Sequence, residues 1–443
     1  MMRNLHPVRR RRVRASVAAA AALVATAGVA ACSSGSGTAG AAPSKVTLQF
    51  WGSSNGLQAA VSAWNAANPN VQVAFTKDTT DATGFEKLSA AAKAGNAPCV
   101  AQFDAQDLVT FASQGLVQDV TKYAASYKGA YTSASWQAVS PGGATYGIPI
   151  SSAPNFYAYR VSVFKQYNLP VPATWAELIS DGQVLASHGL KIWNTAPEDP
   201  STFVGLNWDA GASWYKATGD GWVVDFTSPE AMKAAGVLQQ MVDDKIISQV
   251  SYTDPGIWKT WDDGGTVSMG TSTWQLPIYS GVFPKTDGDW AITTLPQYAV
   301  GDSSTDSNYT IAGVLKGCQY PQQATAFGNW LGSNAAALKI TMNSTTGAGY
   351  FPPLNDVSGY VDGVVPAKMI PQADTASVVL KAAAQVNPAW QYGPDYATMY
   401  TKMQTYWPQV ITGQMTAVQL LQTMQSFVLN DLKSQGINAT AGS

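Results

Sequence analysis

The chain has 443 residues, of which 26 are basic and 28 acidic, and charged side chains make up only 12%. Six of the basic residues are arginines near the N-terminus, so the rest of the chain holds 20 basic and 28 acidic residues, a formal charge of −8. This balance argues against a nucleic-acid partner, because nucleic acids select basic surfaces.

The N-terminal segment has the pattern of a secretory signal, with an arginine-rich start and an Ala/Val-rich apolar run that ends at Cys32. The run has about 16 residues, fewer than the ~20 that a membrane-spanning helix needs, so a transmembrane anchor is the weaker alternative. Val29-Ala30-Ala31-Cys32 is similar to the lipobox of bacterial lipoproteins, whose cysteine thiol accepts a diacylglycerol before cleavage. We therefore expect a signal peptide at residues 1–31 and a lipid on Cys32 that holds the protein at the outer face of the cell membrane.

The segment after the lipidation site is rich in Ser, Gly and Ala. Residues 32–44 show no apolar periodicity, which predicts a flexible tether. The globular part begins near Lys45 and has about 400 residues. One hydrophobic core rarely serves so long a segment, so two lobes are expected.

Cysteine and histidine are scarce. The three cysteines are Cys32, Cys99 and Cys318. Lipidation uses the first and leaves Cys99 and Cys318 in an oxidising compartment, where they can pair in a disulfide. With two histidines and no CxxC pair, HExxH or phosphate-binding loop, the sequence predicts no metal and no other cofactor.

The start of the globular part alternates predicted strands and helices. In chain order they are the strand Val46–Trp51, the helix Gly56–Ala67, the strand Val71–Phe75, the helix Phe85–Ala94, the strand Cys99–Phe103 and the helix Leu108–Gln114. Alternation of this kind predicts a parallel sheet with right-handed crossovers. Ligands of such sheets bind beyond the carboxyl ends of the strands, here Trp51–Asn55 and Phe103–Gln106.

The later elements are mixed in type and spacing. They are extended segments at Tyr146–Ile150 and Phe156–Tyr159, a helix that Thr174 caps, a strand at Leu190–Trp193, a helix at Pro229–Asp243, strands at Thr266–Met269, Trp290–Leu295 and Gly313–Gly317, and a helix at Pro321–Leu331. The C-terminus is predicted to be helical from Asp395 to Leu432, with a break at Gly413.

Several motifs occur in an order typical of one protein family. They are Leu48–Trp51, Asn68–Val73, Pro98–Ala101, Tyr146–Pro149, Pro172–Leu178, Trp290–Pro296 and Ala324–Leu331. Each is weak alone, but their number, order and spacing cover essentially the whole mature chain. In these motifs the chain resembles the family-1 extracellular solute-binding proteins, the sugar-capturing components of ABC importers.

The resemblance implies an α/β, two-lobed, periplasmic-binding-protein-like fold of type II, with the ligand cleft between the lobes. Each lobe would hold a mixed, mainly parallel sheet flanked by helices. Lobe one would comprise residues 45–149 and 297–349, and lobe two residues 150–296 and 350–443. Crossovers between them would fall near Ile148–Ser152, Ala291–Gln297 and Tyr350–Leu354, and Cys99 and Cys318 would share lobe one.

The resemblance also implies what the protein does and with which partners. It would be a monomeric receptor without enzymatic activity that closes about a hinge on a mono- or oligosaccharide. It would then deliver the carbohydrate to ABC permease subunits that are driven by a cytoplasmic ATPase, while the lipid keeps it at the membrane.

A sugar ring presents C–H groups on its faces and hydroxyls around its edge, so its site needs aromatic plates with polar groups at the rim. The candidates in lobe one and at the first crossover are Trp51, Ser53, Ser54, Asn55, Asp104, Gln106, Ser151 and Ser152. Core packing is the alternative for Trp51, and helix capping is the alternative for Ser54, Asn55 and Asp104. Many relatives place an acidic residue near Ser151 and Ser152, so this chain departs from them there.

Lobe two supplies a second set of candidates. They are Glu198, Asp199, Trp274, Trp390, Tyr392 and Tyr400. Trp274 resembles the sugar-stacking tryptophan of the family, and Glu198 and Asp199 match a loop that often contacts the ligand. The alternatives are a solvated loop for the two acids and a core position for each tryptophan.

Two other classes of protein fit parts of this pattern. A receptor for a peptide, a polyamine or a polyol would use a similar cleft, with acids or salt-bridging residues if the ligand is charged. An exported glycosidase would need two carboxyl groups ~5–10 Å apart, flanking the scissile bond. Glu198 and Asp199 are adjacent, which points their side chains in different directions in an extended loop and argues against that pairing.

Overall fold

The structure is a computed structural model that describes residues 45–78, 82–299, 301–302, 304–306, 308–343 and 345–442. The predicted signal peptide, the tether and the lipidation site Cys32 lie outside the described residues. Within the described part of the chain, no helix has both the length and the hydropathy that crossing a membrane requires.

The strands of the described residues number thirteen. They are β1 Val46–Gly52, β2 Val71–Lys77, β3 Val100–Asp104, β4 Gly147–Ser151, β5 Phe156–Arg160, β6 Trp193–Asn194, β7 Tyr215–Ala217, β8 Trp222–Val224, β9 Ile247–Ser248, β10 Ser268–Thr271, β11 Trp290–Thr294, β12 Thr310–Val314 and β13 Ala439–Ala441. The first three lie within about two residues of the predicted strands, whereas β12 begins three residues before the strand predicted at Gly313–Gly317.

The α-helices of the same part of the chain number sixteen. They are α1 Leu57–Ala67, α2 Ala82–Lys93, α3 Ala105–Ser113, α4 Thr121–Ala124, α5 Ser133–Ala138, α6 Val161–Gln166, α7 Trp175–Ser187, α8 Ser201–Asp209, α9 Pro229–Asp243, α10 Ile257–Asp262, α11 Leu276–Val282, α12 Pro321–Ser333, α13 Ala335–Thr341, α14 Thr375–Gln385, α15 Tyr396–Ile411 and α16 Ala417–Ser434. Two predicted boundaries are confirmed: Thr174 caps α7 in a reciprocal capping box with Glu177, and Gly413, with φ 76°, follows the end of α15.

The larger sheet has five strands in the order β2-β1-β3-β12-β4. β1 runs parallel to β2 and β3, whereas β12 runs antiparallel to β3 and β4. The side chains of β1 alternate between buried and exposed, and Leu48 and Phe50 are fully buried in the core. The parallel strands β1 and β3 end at Gly52 and Asp104, so the loops that follow them share one edge of the sheet.

The sheet of the second half differs from the mainly parallel arrangement that was expected for each lobe. Its order is β10-β5-β11, and both outer strands run antiparallel to β5. The family resemblance implied that arrangement for both lobes, but here several helices and the two-stranded parallel pair β6–β9 lie between β5 and β10. So long an insertion does not determine the direction of the returning strand. A third small sheet, β13-β8-β7, brings the C-terminal strand beside β8.

The connections between the two main sheets are hydrogen-bonded to one another. Residues 152–155 lead from β4 to β5, residues 304–306 lie between β11 and β12, and residues 351–354 form a third segment. Ser152 N donates to Phe351 O at 2.9 Å, and Asn155 N donates to Thr305 O at 3.1 Å. We call these three segments the hinge belt. The first and third segments adjoin the predicted crossovers Ile148–Ser152 and Tyr350–Leu354, whereas the second follows the crossover predicted at Ala291–Gln297, where β11 lies. The predicted lobe boundaries themselves stay predictions.

The two cysteines of the globular part form a disulfide, as expected. Cys99 immediately precedes β3, and Cys318 follows the turn after β12, which is the antiparallel neighbour of β3. Their Cα atoms are 4.6 Å apart across a sequence separation of 219 residues. The bond therefore closes a very long loop of the chain.

Replacing both cysteines, as in Cys99→Ser with Cys318→Ser, should lower the free energy of unfolding by about 2–4 kcal/mol, because the unfolded chain regains the freedom that the cross-link removes. Denaturant titration of both proteins measures the difference, and the wild type under reducing conditions serves as the matched control. A count of two reactive thiols in the untreated native wild type would contradict the assignment.

Three carboxyl groups lie deep in the interior: Asp209, Asp306 and Asp395. Burial raises the pKa of Asp209 to about 7, of Asp306 to about 8 and of Asp395 to about 7. The cause in each case is loss of water around the charged form, which hydrogen bonds offset only in part. The native state therefore holds protons that the unfolded chain releases near its ordinary aspartate pKa.

A protein with such groups should be more stable in mild acid than in mild base. Their native pKa values lie above the unfolded value, so their contribution to stability is complete below about pH 4 and is lost as pH rises to about pH 8. The midpoint of thermal unfolding should accordingly fall between about pH 5 and about pH 8.5. Asp209→Asn should flatten this fall, and an unfolding midpoint that rises across the range would contradict the assignment.

Candidate ligand-binding cleft

The loop after β1 is held in place by two buried side chains. Gln102 accepts from Ser53 N at 3.0 Å and from Ser54 N at 3.2 Å, and its amide donates to Ser54 Oγ at 2.9 Å. The Tyr350 hydroxyl donates to the same Oγ at 2.5 Å. Since Ser54 Oγ accepts two hydrogen bonds, its own proton is left to donate to a further group.

Helix capping, the alternative role for this loop, does not occur. The residue that caps α1 is Gly56, in the left-handed region with φ 83° and without a side-chain cap. Its position needs glycine because a Cβ there would also lie 3.1 Å from the backbone of Gly347. Asn55 is exposed beside it. Ser53, Ser54 and Asn55 therefore remain candidates for contact with a ligand.

Two carboxyl groups stand one helical turn apart at the start of α3. Asp104 occupies the N-cap position without making a side-chain cap bond. Burial raises its pKa to about 6, and a hydrogen bond from the Asn308 side chain lowers it. Burial and then the charge of Asp104 raise the pKa of Asp107 to about 8. Near neutral pH Asp104 is therefore mainly an acceptor, while Asp107 mainly keeps a proton and can donate it.

The loop Glu198–Asp199 is held by protein donors. The Glu198 carboxylate accepts from Tyr252 N at 2.6 Å and from Ser251 Oγ at 2.8 Å. Asp199 accepts from Ser201 N at 2.9 Å and from the Tyr400 hydroxyl. Both carboxylates thus organise loops at the ends of β6 and β9, and their contact with a ligand stays a prediction.

Trp274 is the most exposed of the predicted aromatic candidates, with 41% of its surface accessible. It follows β10 in a turn that Gln275 shapes by accepting from Ser272 N at 3.1 Å. Its Cα lies 3.2 Å from where a Cβ on Gly349 would stand, and Gly349 has φ 66°. Because Tyr350 comes next and reaches Ser54, Trp274 lies close to the lobe-one loop.

The remaining aromatic candidates are more enclosed. Trp390 is only 5% exposed and stacks on Trp208, with ring centroids 5.3 Å apart. Tyr392 packs edge-on against Trp390 and Tyr396. The Tyr400 ring stacks on Tyr396. Trp390 is thus enclosed in this conformation, and Tyr392 and Tyr400 each pack against a neighbouring aromatic ring.

Tyr396 joins the two halves of the cleft. Burial, then the charges of Asp199 and Asp107, raise the pKa of its phenol above the usual range. Those two acids come from different predicted lobes, and Tyr396 lies near both. Burial is the main cause of the raised pKa of Tyr392. The charges of Tyr396 and Asp306, and then those of Asp104 and Asp107, raise it further.

The four other predicted residues lie at the end of β1, at the first crossover and in the first turn of α3. Trp51 is half-buried, with the Lys87 ammonium 5.0 Å from its ring centroid. Ser151 and Ser152 are buried at the first crossover, where Ser151 Oγ donates to Ser152 O at 3.0 Å. Gln106 is half-buried in the first turn of α3, between Asp104 and Asp107. It can therefore share a ligand with them.

The structure adds residues that the sequence analysis missed: Asp107, Tyr252, Asn308, Tyr350 and Tyr396. Asp107 could have been found from its one-turn spacing to Asp104. Tyr252 is 46% exposed and follows β9, which pairs in parallel with β6, so its loop shares a sheet edge with Glu198. Asn308 and Tyr350 come from connections far away in sequence, and no local signal marks them.

In the described part of the chain, no group of three or more His, Cys, Asp or Glu side chains is arranged for metal binding. The ion pairs between described residues are Lys87–Asp78, Arg160–Asp289, Lys285–Asp263 and Lys368–Asp287. None of these pairs includes Asp104, Asp107, Glu198 or Asp199.

Solved structures with the same architecture are numerous. The galacto-N-biose-/lacto-N-biose I-binding protein of an ABC transporter from Bifidobacterium longum, in complex with lacto-N-biose, superposes with a TM-score of 0.77 at 23% identity, covering 89% of this chain and 99% of that one. A binding protein from B. animalis subsp. lactis Bl-04 in complex with β-1,6-galactobiose has a TM-score of 0.72 at 19% identity, covering 89% and 100%. The sugar-binding protein MalE from Xanthomonas citri has a TM-score of 0.72 at 16% identity, covering 88% and 98%.

These likenesses establish the two-lobed α/β fold. A comparison with curated protein sequences finds no match. The family described as bacterial extracellular solute-binding protein matches residues 51–338, more than half of the chain. That segment runs from the end of β1 to helix α13 and includes Ser54, Asp104 and Trp274. The chain therefore belongs to the bacterial extracellular solute-binding protein family.

Proposed function

We propose that this protein captures a mono- or oligosaccharide outside the cell and delivers it to the permease subunits of an ABC importer with a cytoplasmic ATPase. The observation that carries the proposal is the exposed ring of Trp274, whose backbone lies against Gly349, next in sequence to the Tyr350 that hydrogen-bonds Ser54. Several solved proteins of this architecture are described as sugar-binding proteins, some in complex with disaccharides. The protein would act as a monomer and catalyse no reaction.

The polar groups suit a ligand rich in hydroxyls. Ser54 has a proton to donate, Asp104 accepts, and Asp107 holds a proton near neutral pH. Together they offer both donors and acceptors to hydroxyls at the edge of a sugar ring, while the indole of Trp274 offers a flat surface to its C–H groups. Such a mixture fits a neutral carbohydrate better than a charged solute.

Capture would couple to movement about the hinge belt. Trp274 and Tyr400 belong to predicted lobe two, while Ser54 and Asp104 belong to predicted lobe one. A ligand that touches both sets binds the closed state more tightly than the open state and so stabilises closure. The closed form would then be the one that the permease recognises.

Two other functions predict different chemistry. A peptide or polyol receptor would use the same cleft without a requirement for a sugar ring. A glycosidase would need carboxyl groups on both sides of the scissile bond. Asp104 and Asp107 stand on one turn at the start of one helix, and Glu198 and Asp199 are engaged in loop contacts. This arrangement favours binding without turnover.

Isothermal titration calorimetry with a carbohydrate panel tests the proposal. The panel includes lacto-N-biose, β-1,6-galactobiose, maltose and glucose, with a tripeptide mixture and sorbitol as the other classes. Binding of at least one sugar, with the sugar recovered intact, supports the receptor. Hydrolysis of a sugar, or a response to peptides or sorbitol alone, overturns it.

Trp274→Ala should weaken binding of the best sugar of that panel by at least ~1 kcal/mol, about fivefold, because the stacking surface is lost. Calorimetry measures the affinity, and thermal unfolding verifies that the fold is intact. Tyr320→Ala is the matched control, since Tyr320 is 42% exposed and precedes α12, in predicted lobe one. Unchanged affinity in the Trp274 variant would remove this residue from the site.

The lipid anchor would keep the receptor beside its importer. The proposal rests on the arginine-rich start, the apolar run and Val29-Ala30-Ala31-Cys32. The tether of residues 32–44 would let the globular part reach the permease while the lipid stays in the membrane.

Cys32→Ser should abolish incorporation of radiolabelled palmitate into the full-length protein, because serine lacks the thiol that accepts the lipid. Labelling of cells that express either form measures the incorporation of palmitate. The double variant Cys99→Ser/Cys318→Ser is the control, because it keeps Cys32. Persistent labelling of the Cys32→Ser protein would contradict lipidation at this site.

A further inference from the structure

One buried carboxylate lies at the centre of the hinge belt. Asp306 is 3% exposed, and its backbone pairs with Pro154 in an antiparallel bridge. The adjacent Asn155 N donates to Thr305 O at 3.1 Å, so the first and second connections lie side by side here. The side chain of Asp306 is therefore placed between the segments about which the lobes would move.

This carboxylate binds backbone donors from both connections. Ala153 N lies 2.9 Å from one of its oxygens and 3.0 Å from the other. Asn308 N donates to the first of these oxygens at 2.9 Å. Ala153 belongs to the first connection, and Asn308 follows the second, so a single side chain fastens one to the other.

The other ionisable groups near Asp306 are phenols rather than cations. Burial is the largest cause of the raised pKa of Tyr309, and the charge of Asp306 is the second. The charge of Asp306 also helps to raise the pKa of Tyr392. Near neutral pH Asp306 mainly keeps its proton, and the backbone N–H groups of Ala153 and Asn308 donate to its oxygens. Removing this carboxyl group would leave those donors unsatisfied, which makes the contact costly to lose.

The same contact leads into the cleft through Asn308. The backbone of Asn308 is held by Asp306, and its side-chain amide hydrogen-bonds the Asp104 carboxylate and lowers its pKa. Asp104 ends β3 at the cleft edge and pairs with Thr310 at the start of β12. A shift at Asp306 therefore moves the donor that orients Asp104.

We propose that Asp306 is a positioning residue that couples the hinge belt to the cleft, holding Ala153 and Asn308 together so that Asn308 orients Asp104 towards the ligand. The proposal rests on the proposed sugar-binding function. The contacts run without a gap from the first connection, through Asp306 and Asn308, to the candidate acceptor. Asp306 itself does not touch the ligand, so its effect on affinity passes through Asn308.

A double-mutant cycle tests this coupling in the purified full-length protein, with the tightest-binding sugar of the calorimetric panel as probe. Asp306→Asn keeps the shape of the side chain but replaces one of the two oxygens that accept from backbone N–H groups with an amide donor. Asn308→Ala removes the amide that reaches Asp104. We expect each single variant to lose about tenfold in affinity and the double variant to lose no more than Asn308→Ala alone, since both changes break one path.

Asp209→Asn is the matched control for loss of a buried carboxyl. Asp209 is as deeply buried as Asp306, and one of its oxygens accepts from Trp175 Nε1 at 2.5 Å, outside the hinge belt and outside the contacts that lead to Asp104. This variant should change thermal stability but leave the sugar affinity at the wild-type value. An equal loss of affinity in Asp209→Asn would show that general destabilisation, and not positioning, explains the result.

The remaining outcomes are distinct. If the wild type binds none of the sugars, the proposed function fails and this inference fails with it. If the wild type binds but Asp306→Asn binds equally well, or if the losses of the two single variants multiply in the double variant, only the coupling is overturned. If Asp306→Asn does not fold, Asn308→Ala and Asp104→Asn replace it in the cycle, and wild-type affinity in Asn308→Ala overturns the coupling.

Discussion

A carboxyl group removed from water must pair with a cation, keep a proton or be surrounded by hydrogen-bond donors, and the second and third of these solutions shape the cleft and the hinge belt. Asp199 and Glu198 are held by hydroxyl and backbone donors. Asp306 and Asp107 mainly keep their protons near neutral pH, and Asp306 also accepts hydrogen bonds from backbone N–H groups. Each acid therefore also fixes a piece of backbone, which is how loops distant in sequence come to surround one site.

The hydrogen bonds show which parts of the candidate site are already ordered before a ligand binds. The Ser54 hydroxyl accepts from Gln102 and Tyr350, two buried side chains, so its direction is set before any ligand arrives. Little conformational entropy is then lost there on binding. The Trp274 ring is 41% exposed, so a ligand that stacked on it would cover apolar surface that now meets water.

Local sequence signals predicted the parts of the fold that depend on neighbouring residues. The capping box at Thr174, the break at Gly413 and the early strands require only short stretches of chain, and the structure confirms them. The antiparallel sheet around β5 was not predicted because its partners are separated from it by long insertions. Asn308 and Tyr350 were not predicted as site residues for the same reason, since their partners Asp104 and Ser54 are about two hundred or more residues away.

The tryptophans show most clearly why the sequence alone could not identify every residue of the candidate site. A ring that packs in the core and a ring that meets a ligand have similar flanking residues, but they differ in what the indole N–H does. Trp64, Trp175, Trp208 and Trp407 each donate to a protein oxygen, as expected of rings fixed inside the fold. Trp390 is equally enclosed, although its Nε1 has no hydrogen-bond partner among the described residues. A substitution at such enclosed rings would act first on stability, whereas a change at the exposed Trp274 can alter affinity while the core stays intact. Exposure, which only the folded chain reveals, therefore decides which of the fifteen tryptophans is the best candidate for a binding surface.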